Sequence, residues 1–212
     1  MAPSRRRLFG IDRSGPQPRE TRAGAPLRPL TIPNLIGYAR LAAIPVFLIL
    51  AFDSGDGRAV APALLYLAIT LGDYVDGFLA RATGQYSRMG ALLDPVVDRL
   101  TVLSGAAVCW HFELLPRWAL AVLAAREVVT LALARVALRR GIDLEINWIG
   151  RIGVFLVFGG IFWSMVFDWW IVRAAFVVGV AIAILATVVY VRVAFGARTA
   201  PAASSQGAVG DR

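Results

Sequence analysis

The chain has 212 residues, of which 58% are hydrophobic and 17% charged, and its mean hydropathy is +0.66. An ordinary soluble domain carries about 25% charged residues, so these values exclude a disordered chain, a collagen, a coiled coil and almost any soluble globular domain. The 22 basic residues, all of them Arg, outnumber 14 acids to give a net charge of +8. A helix crosses a bilayer with about 20 apolar residues, so the chain has room for about six spans.

Residues 1–30 are polar and rich in Pro and Gly, and carry seven Arg against Asp12 and Glu20 for a net +5. They read as a disordered basic tail lying on an anionic lipid surface. Ser4-Arg5-Arg6-Arg7-Leu8-Phe9 faintly suggests a twin-arginine export signal. No apolar segment follows it soon enough and no small-residue cleavage site is evident, so a retained anchor is expected. Residues 31–198 then hold six apolar stretches, at 33–52, 59–80, 91–111, 116–138, 148–167 and 170–195. Residues 199–212 are small and polar and read as a disordered C-terminal tail.

The Arg residues outside the stretches concentrate in the N-tail, the second and fourth connections and the C-tail. By the positive-inside rule this predicts an all-α, polytopic membrane protein with six transmembrane helices and both termini cytoplasmic. The basic excess is then a topology signal, and no nucleic-acid partner is expected. Trp163, Trp169 and Trp170 fall at the outer interface, where aromatic belts form. Cys109 and His111 read as a buried small hydrophobe and an interfacial side chain.

The second and third stretches break the apolar pattern. Asp73, Asp76, Gly77, Ala80 and Arg81 share one face at 100° per residue, and Gly90, Asp94 and Asp98 share another. A connection of about ten residues between the two stretches makes the helices antiparallel neighbours, so the two faces oppose each other. Carboxylates in a membrane are expensive and mark function. Their oxygens are hard ligands for Mg²⁺ or Mn²⁺, and four of them suffice for two ions clamping a phosphate. Gly77, Ala80 and Gly90 leave room for a ligand, and Arg81 offers a bidentate fork for phosphate. The competing structural reading is an ion-pair network of these Asp with Arg81, Arg88 and Arg99. A divalent-cation transporter also needs intramembrane carboxylates, but usually at the midplane of repeated halves. Here all four lie in one hairpin and no internal repeat is visible.

The spacing D-x2-D-G-x2-A-R-x8-G-x3-D-x3-D is complete from Asp73 to Asp98. With it the chain resembles the CDP-alcohol phosphotransferase family over its whole membrane region. The resemblance implies a six-helix membrane enzyme, usually a homodimer, that binds a CDP-linked donor and two divalent cations. It implies that Asp73, Asp76 and Asp94 ligate the metals, and that Asp98 ligates one or acts as the base. Gly77, Ala80, Arg81 and Gly90 would line the donor site.

Three Arg are embedded in or beside the helices. Arg40 is in the first, Arg126 lies on the order of 15 Å into the fourth, and Arg151 starts the fifth. Together they are candidates for an anion pocket taking a phosphorylated acceptor. Glu127, adjacent to Arg126, is expected to point elsewhere on its helix. Thr31-Ile32-Pro33-Asn34-Leu35, Ala125-Arg126-Glu127 and Trp148-Ile149-Gly150-Arg151 resemble the phosphatidylglycerophosphate synthase branch of the family. The expectation is therefore a phosphatidyltransferase of the bacterial inner membrane with its active site facing the cytoplasm. It would move phosphatidyl from CDP-diacylglycerol to glycerol 3-phosphate and release CMP. CMP-forming cardiolipin synthases, which use phosphatidylglycerol, look nearly the same at these points, and an inositol-phosphate acceptor is a third option. Arg99 and Arg151 stand where relatives often carry Lys, which keeps the charge but changes the donor geometry.

Overall fold

The structure is a computed structural model, and it describes residues 19–21, 25–139 and 148–196. The two expected tails fall largely outside the described residues, as does the connection 140–147. The described residues hold a single 3₁₀ turn at Arg19–Thr21 and six α-helices. These are α1 (Ile32–Phe52), α2 (Val60–Thr83), α3 (Arg88–His111), α4 (Arg117–Arg139), α5 (Trp148–Ser164) and α6 (Trp170–Gly196). Each coincides with one predicted stretch to within a few residues.

Among the described residues, three helices are long and apolar enough to cross a membrane: α1, α2 and, in α6, Trp170–Val189. With this content the chain is a multi-pass membrane protein. The apolar part of α5, Gly150–Ser164, is shorter. α3 carries Asp94, Asp98 and Arg99, and α4 carries Arg126 and Glu127. Those charges dilute the apolar character that length alone would give.

Local chemistry sets the ends that matter. Thr31 caps α1 by accepting from the Asn34 backbone N–H at 3.4 Å, and Pro33 sits in the first turn, where its missing N–H costs nothing. α2 ends on Gly84, whose φ of +67° is the left-handed conformation that suits glycine. Ser87 caps α3 by accepting from Gly90 N–H at 2.9 Å. These two signals shorten the α2–α3 connection to residues 84–87. The expected connection of about ten residues is corrected accordingly: both helices continue toward each other through the motif's flanking Arg.

Consecutive helices run antiparallel, so the bundle has two ends. At one, Arg58 of the α1–α2 loop reaches Asp168 of the α5–α6 loop at 3.1 Å, and Phe52 packs on His111 and Phe112 of the α3–α4 connection. Trp163, Trp169 and Trp170 are all exposed there, with Phe167 stacked between the first two. At the other end the segment before α1 clamps the α2–α3 turn. Ile32 N–H donates to Gln85 Oε1 at 3.2 Å, and Met89 N–H donates to Leu27 O at 3.1 Å.

The core draws buried side chains from all six helices, among them Phe47, Tyr66, Val97, Leu120, Ile161 and Phe176. Tyr66 packs between Phe47 and Phe158, with ring centroids 5.3 and 6.2 Å away. Cys109 is buried beside Ser164, its sulfur 3.4 Å from the hydroxyl, as the small-hydrophobe reading expects. α5 packs closely on α6. A Cβ on Gly153 would sit 2.8 Å from the backbone nitrogen of Ala183, so that crossing requires a residue without one. Small residues at such crossings are how helices associate in lipid, where the hydrophobic effect supplies no pull.

Candidate active site

The site grows from one buried cation. Arg40 lies in the middle of apolar α1 and is 4% exposed. Its stem crosses α2 at Gly72, where a Cβ would lie 2.8 Å from Arg40 Cδ. Its Nε donates to the backbone carbonyl of Ile69 at 2.9 Å. The guanidinium then fans out to three carboxylates on two helices. Nη1 reaches Asp76 Oδ2 at 3.0 Å and Asp73 Oδ1 at 3.3 Å, and Nη2 reaches Asp98 Oδ1 at 2.8 Å. An unpaired Arg at this depth would be prohibitive, and like-charged Asp would repel one another. Bringing them together removes both penalties.

The fourth carboxylate, Asp94, faces a different space. With Asp76 it lines a cavity of about 210 Å³ whose other walls include Gly77, Ala80, Arg81 and Gly90. All four residues expected to bind the donor therefore border one cavity. Arg81 folds back across Gly77, so that a Cβ there would meet its Nη1 at 3.2 Å. At the other wall, a Cβ on Gly90 would sit 2.7 Å from Asn34 Oδ1.

Asn34 itself was not singled out by sequence reasoning. It is 2% exposed. Its amide donates to Arg28 O at 3.0 Å and Pro29 O at 3.1 Å, and its oxygen accepts from the Ser87 hydroxyl at 2.9 Å. It thereby joins the start of α1, the preceding segment and the cap of α3 into one rim of the cavity. A buried Asn in the first turn of an apolar helix was the available signal, since a buried amide needs partners.

Among the described residues, no three acidic, histidine or cysteine side chains converge closely enough to cage an ion unaided. Three Asp converge on Arg40 instead. The sequence presents Arg40 as a phosphate anchor and looks to Arg81, Arg88 and Arg99 as partners for the Asp cluster. In the structure Arg40 is bonded to three of those Asp. The donor set nonetheless suits a hard divalent ion. It is made of carboxylates alone, each Asp bonded to Arg40 leaves its second oxygen out of that contact, and Cys109 and His111 lie at the far end of the bundle.

The other expected anion ligands are Arg126 and Arg151. Arg126 Nη1 pairs with Glu127, and its Nε donates to Thr187 Oγ1 at 3.3 Å. The expectation that Glu127 points away is corrected. Both side chains are largely buried, and neighbouring residues on a helix can bend their long side chains together when nothing else neutralises them. Glu127 also lies 3.9 Å from Arg99 Nε, a buried donor that makes no hydrogen bond among the described residues. Arg151 lies in the first turn of α5, half-buried, at the carboxylate end of the bundle.

Comparison with known proteins agrees with this architecture. The family model for CDP-alcohol phosphatidyltransferase matches residues 30–194. A CMP-forming cardiolipin synthase of Streptomyces coelicolor is 42% identical over 132 residues, 60% of this chain and 61% of that protein. The CDP-diacylglycerol–glycerol-3-phosphate 3-phosphatidyltransferases of Bacillus subtilis and Escherichia coli are each 32% identical, over 57% of this chain and 69% of theirs. The chain thus spans about three-fifths of the length of the Streptomyces relative. It belongs to the CDP-alcohol phosphatidyltransferase family.

Proposed function

We propose that this protein transfers a phosphatidyl group from CDP-diacylglycerol to an alcohol and releases CMP. The observation that carries this reading is the cavity bordered at once by Asp76, Asp94, Gly77, Ala80, Arg81 and Gly90. It combines hard anionic ligands, a phosphate fork and walls without bulky side chains, which is what a metal-bound diphosphate requires. The reading includes six membrane-spanning helices, both termini in the cytoplasm, and the carboxylate end facing the cytoplasm in the bacterial inner membrane. It also includes a homodimer.

Asp73, Asp76 and Asp94, with Asp98, would hold two Mg²⁺ or Mn²⁺ ions. Bound there, such ions neutralise the diphosphate and the charge building on departing CMP. The chain's own residues do the rest. Arg81 holds a phosphate oxygen, and Gly77, Ala80 and Gly90 let the nucleotide approach the backbone. Asp98, held by Arg40 through one oxygen, takes the proton of the acceptor hydroxyl with the other. The hydroxyl oxygen bonds to the phosphorus bearing diacylglycerol, the bond from that phosphorus to the CMP oxygen breaks, and CMP leaves.

The acceptor is phosphatidylglycerol, giving cardiolipin. The 42% identity to a CMP-forming cardiolipin synthase supports this. So does the engagement of Arg40 and Arg126 with carboxylates, which leaves less positive charge for a phosphate monoester than the sequence suggests. Glycerol 3-phosphate is the second reading, favoured by the two 32% relatives and by Arg99 Nε, a buried donor 3.9 Å from Glu127 that makes no hydrogen bond among the described residues. Arg126 and Arg151 would serve its phosphate. Purified protein given CDP-diacylglycerol and Mg²⁺ should form cardiolipin with phosphatidylglycerol. Phosphatidylglycerophosphate formed from glycerol 3-phosphate, with no cardiolipin, would reverse the assignment.

A further inference from the structure

Resting on that reading of the carboxylates as metal ligands, we infer that Arg40 is a built-in counter-cation of the metal site. It gathers three of the four Asp and weakens their hold on a divalent ion.

Three observations carry this. The guanidinium contacts Asp73, Asp76 and Asp98 within 3.3 Å, bridging α2 and α3 from α1. It is locked in position rather than lying loosely among them, because Nε is bonded to Ile69 O and the stem fills the space Gly72 vacates. Among the described residues no three acidic side chains converge closely enough to cage an ion unaided, and Asp73, Asp76 and Asp98 converge on Arg40 instead. Held this way, Arg40 stays when metal binds. A fixed unit charge that close opposes an incoming divalent cation, and its partial neutralisation of the Asp lowers their attraction. In return the fold escapes the cost of mutually repelling carboxylates, one of which, Asp76, is buried. Arg40 is a positioning residue, acting on the Asp and not on the substrate.

The test is Mn²⁺ binding, followed by electron paramagnetic resonance, together with thermal unfolding in detergent with and without Mn²⁺. Arg40→Gln should unfold at lower temperature than wild type without metal, recover most of the difference with Mn²⁺, and bind Mn²⁺ at least tenfold more tightly. Arg40→Lys keeps the charge and should stay within about threefold of wild-type affinity. If Arg40→Gln cannot be purified even with Mn²⁺, Gly72→Ala serves, since its new Cβ pushes Arg40 from the cluster while leaving every charge in the protein. It too should bind Mn²⁺ more tightly. Equal or weaker Mn²⁺ affinity in the variant, or a stability loss that Mn²⁺ does not repair, overturns the inference. Failure of the wild type to bind Mn²⁺ at all would instead overturn the reading of the Asp cluster as a metal site.

Discussion

Asn34 offers a sharp test of how the cavity rim is built. Asn34→Ala removes two bonds to the carbonyls of Arg28 and Pro29 and one from the Ser87 hydroxyl. The carbonyls belong to exposed residues, so water can replace the amide there and each loss costs about 0.5–1.5 kcal/mol. Ser87 is buried, and its hydroxyl proton losing an acceptor costs about 1–3 kcal/mol. The bonds share one side chain and are not independent, so a total of about 2–4 kcal/mol is expected, or about 5–15 °C in melting temperature for a chain of this size. Thermal unfolding in detergent measures it. Asn34→Asp is the informative companion. It can still accept from Ser87 but turns an oxygen toward two carbonyls, so it should be no more stable than Asn34→Ala. The segment before α1 would loosen at the same time, raising the KM for CDP-diacylglycerol. A melting temperature within about 1 °C of wild type for Asn34→Ala, or wild-type stability for Asn34→Asp, would refute the network as drawn.

Other outcomes follow from the same geometry. Asp98→Asn should lose at least a hundredfold in CMP release, the low end of what a general base contributes (about 10²–10⁴). CDP-diacylglycerol binding, measured by calorimetry, should largely survive, and full turnover would remove Asp98 from the base role. Gly153→Leu should cost about 1–3 kcal/mol by forcing α5 off the Ala183 backbone, whereas Gly159→Ala, with nothing within 4 Å of its new Cβ, should be neutral or stabilising in the same melts. Tyr66→Phe deletes a buried hydroxyl that has no hydrogen-bond partner among the described residues, so the melting temperature should rise slightly; a clear fall would mean the hydroxyl is satisfied.

The helices were legible because long apolar runs bounded by Arg, Pro and Gly leave few alternatives in a membrane. The motif face was legible because Asp73, Asp76, Gly77, Ala80 and Arg81 recur at helical spacing, and the cavity they border with Gly90 follows from pairing α2 with α3. The length of the α2–α3 connection was misread because Arg81 and Arg88 look like loop charges; capping by Gly84 and Ser87 lets both helices run further. Arg40 was visible as a buried charge, but its partner depends on how α1 lies across Gly72, a tertiary fact with only a weak local trace. The pairing of Arg126 with Glu127 was missed for a related reason. Angular separation on a helix describes where side chains start, and two long charged ones can still meet at their tips.

The central claim is the transfer itself. Purified protein in detergent, supplied with CDP-diacylglycerol, Mg²⁺ and an acceptor, should release CMP in step with the phospholipid formed, and chelation of the metal should stop both. Absence of CMP with phosphatidylglycerol, glycerol 3-phosphate and inositol phosphate alike, alongside divalent-cation flux in liposomes, would contradict the account and point to a transporter built on the same carboxylates.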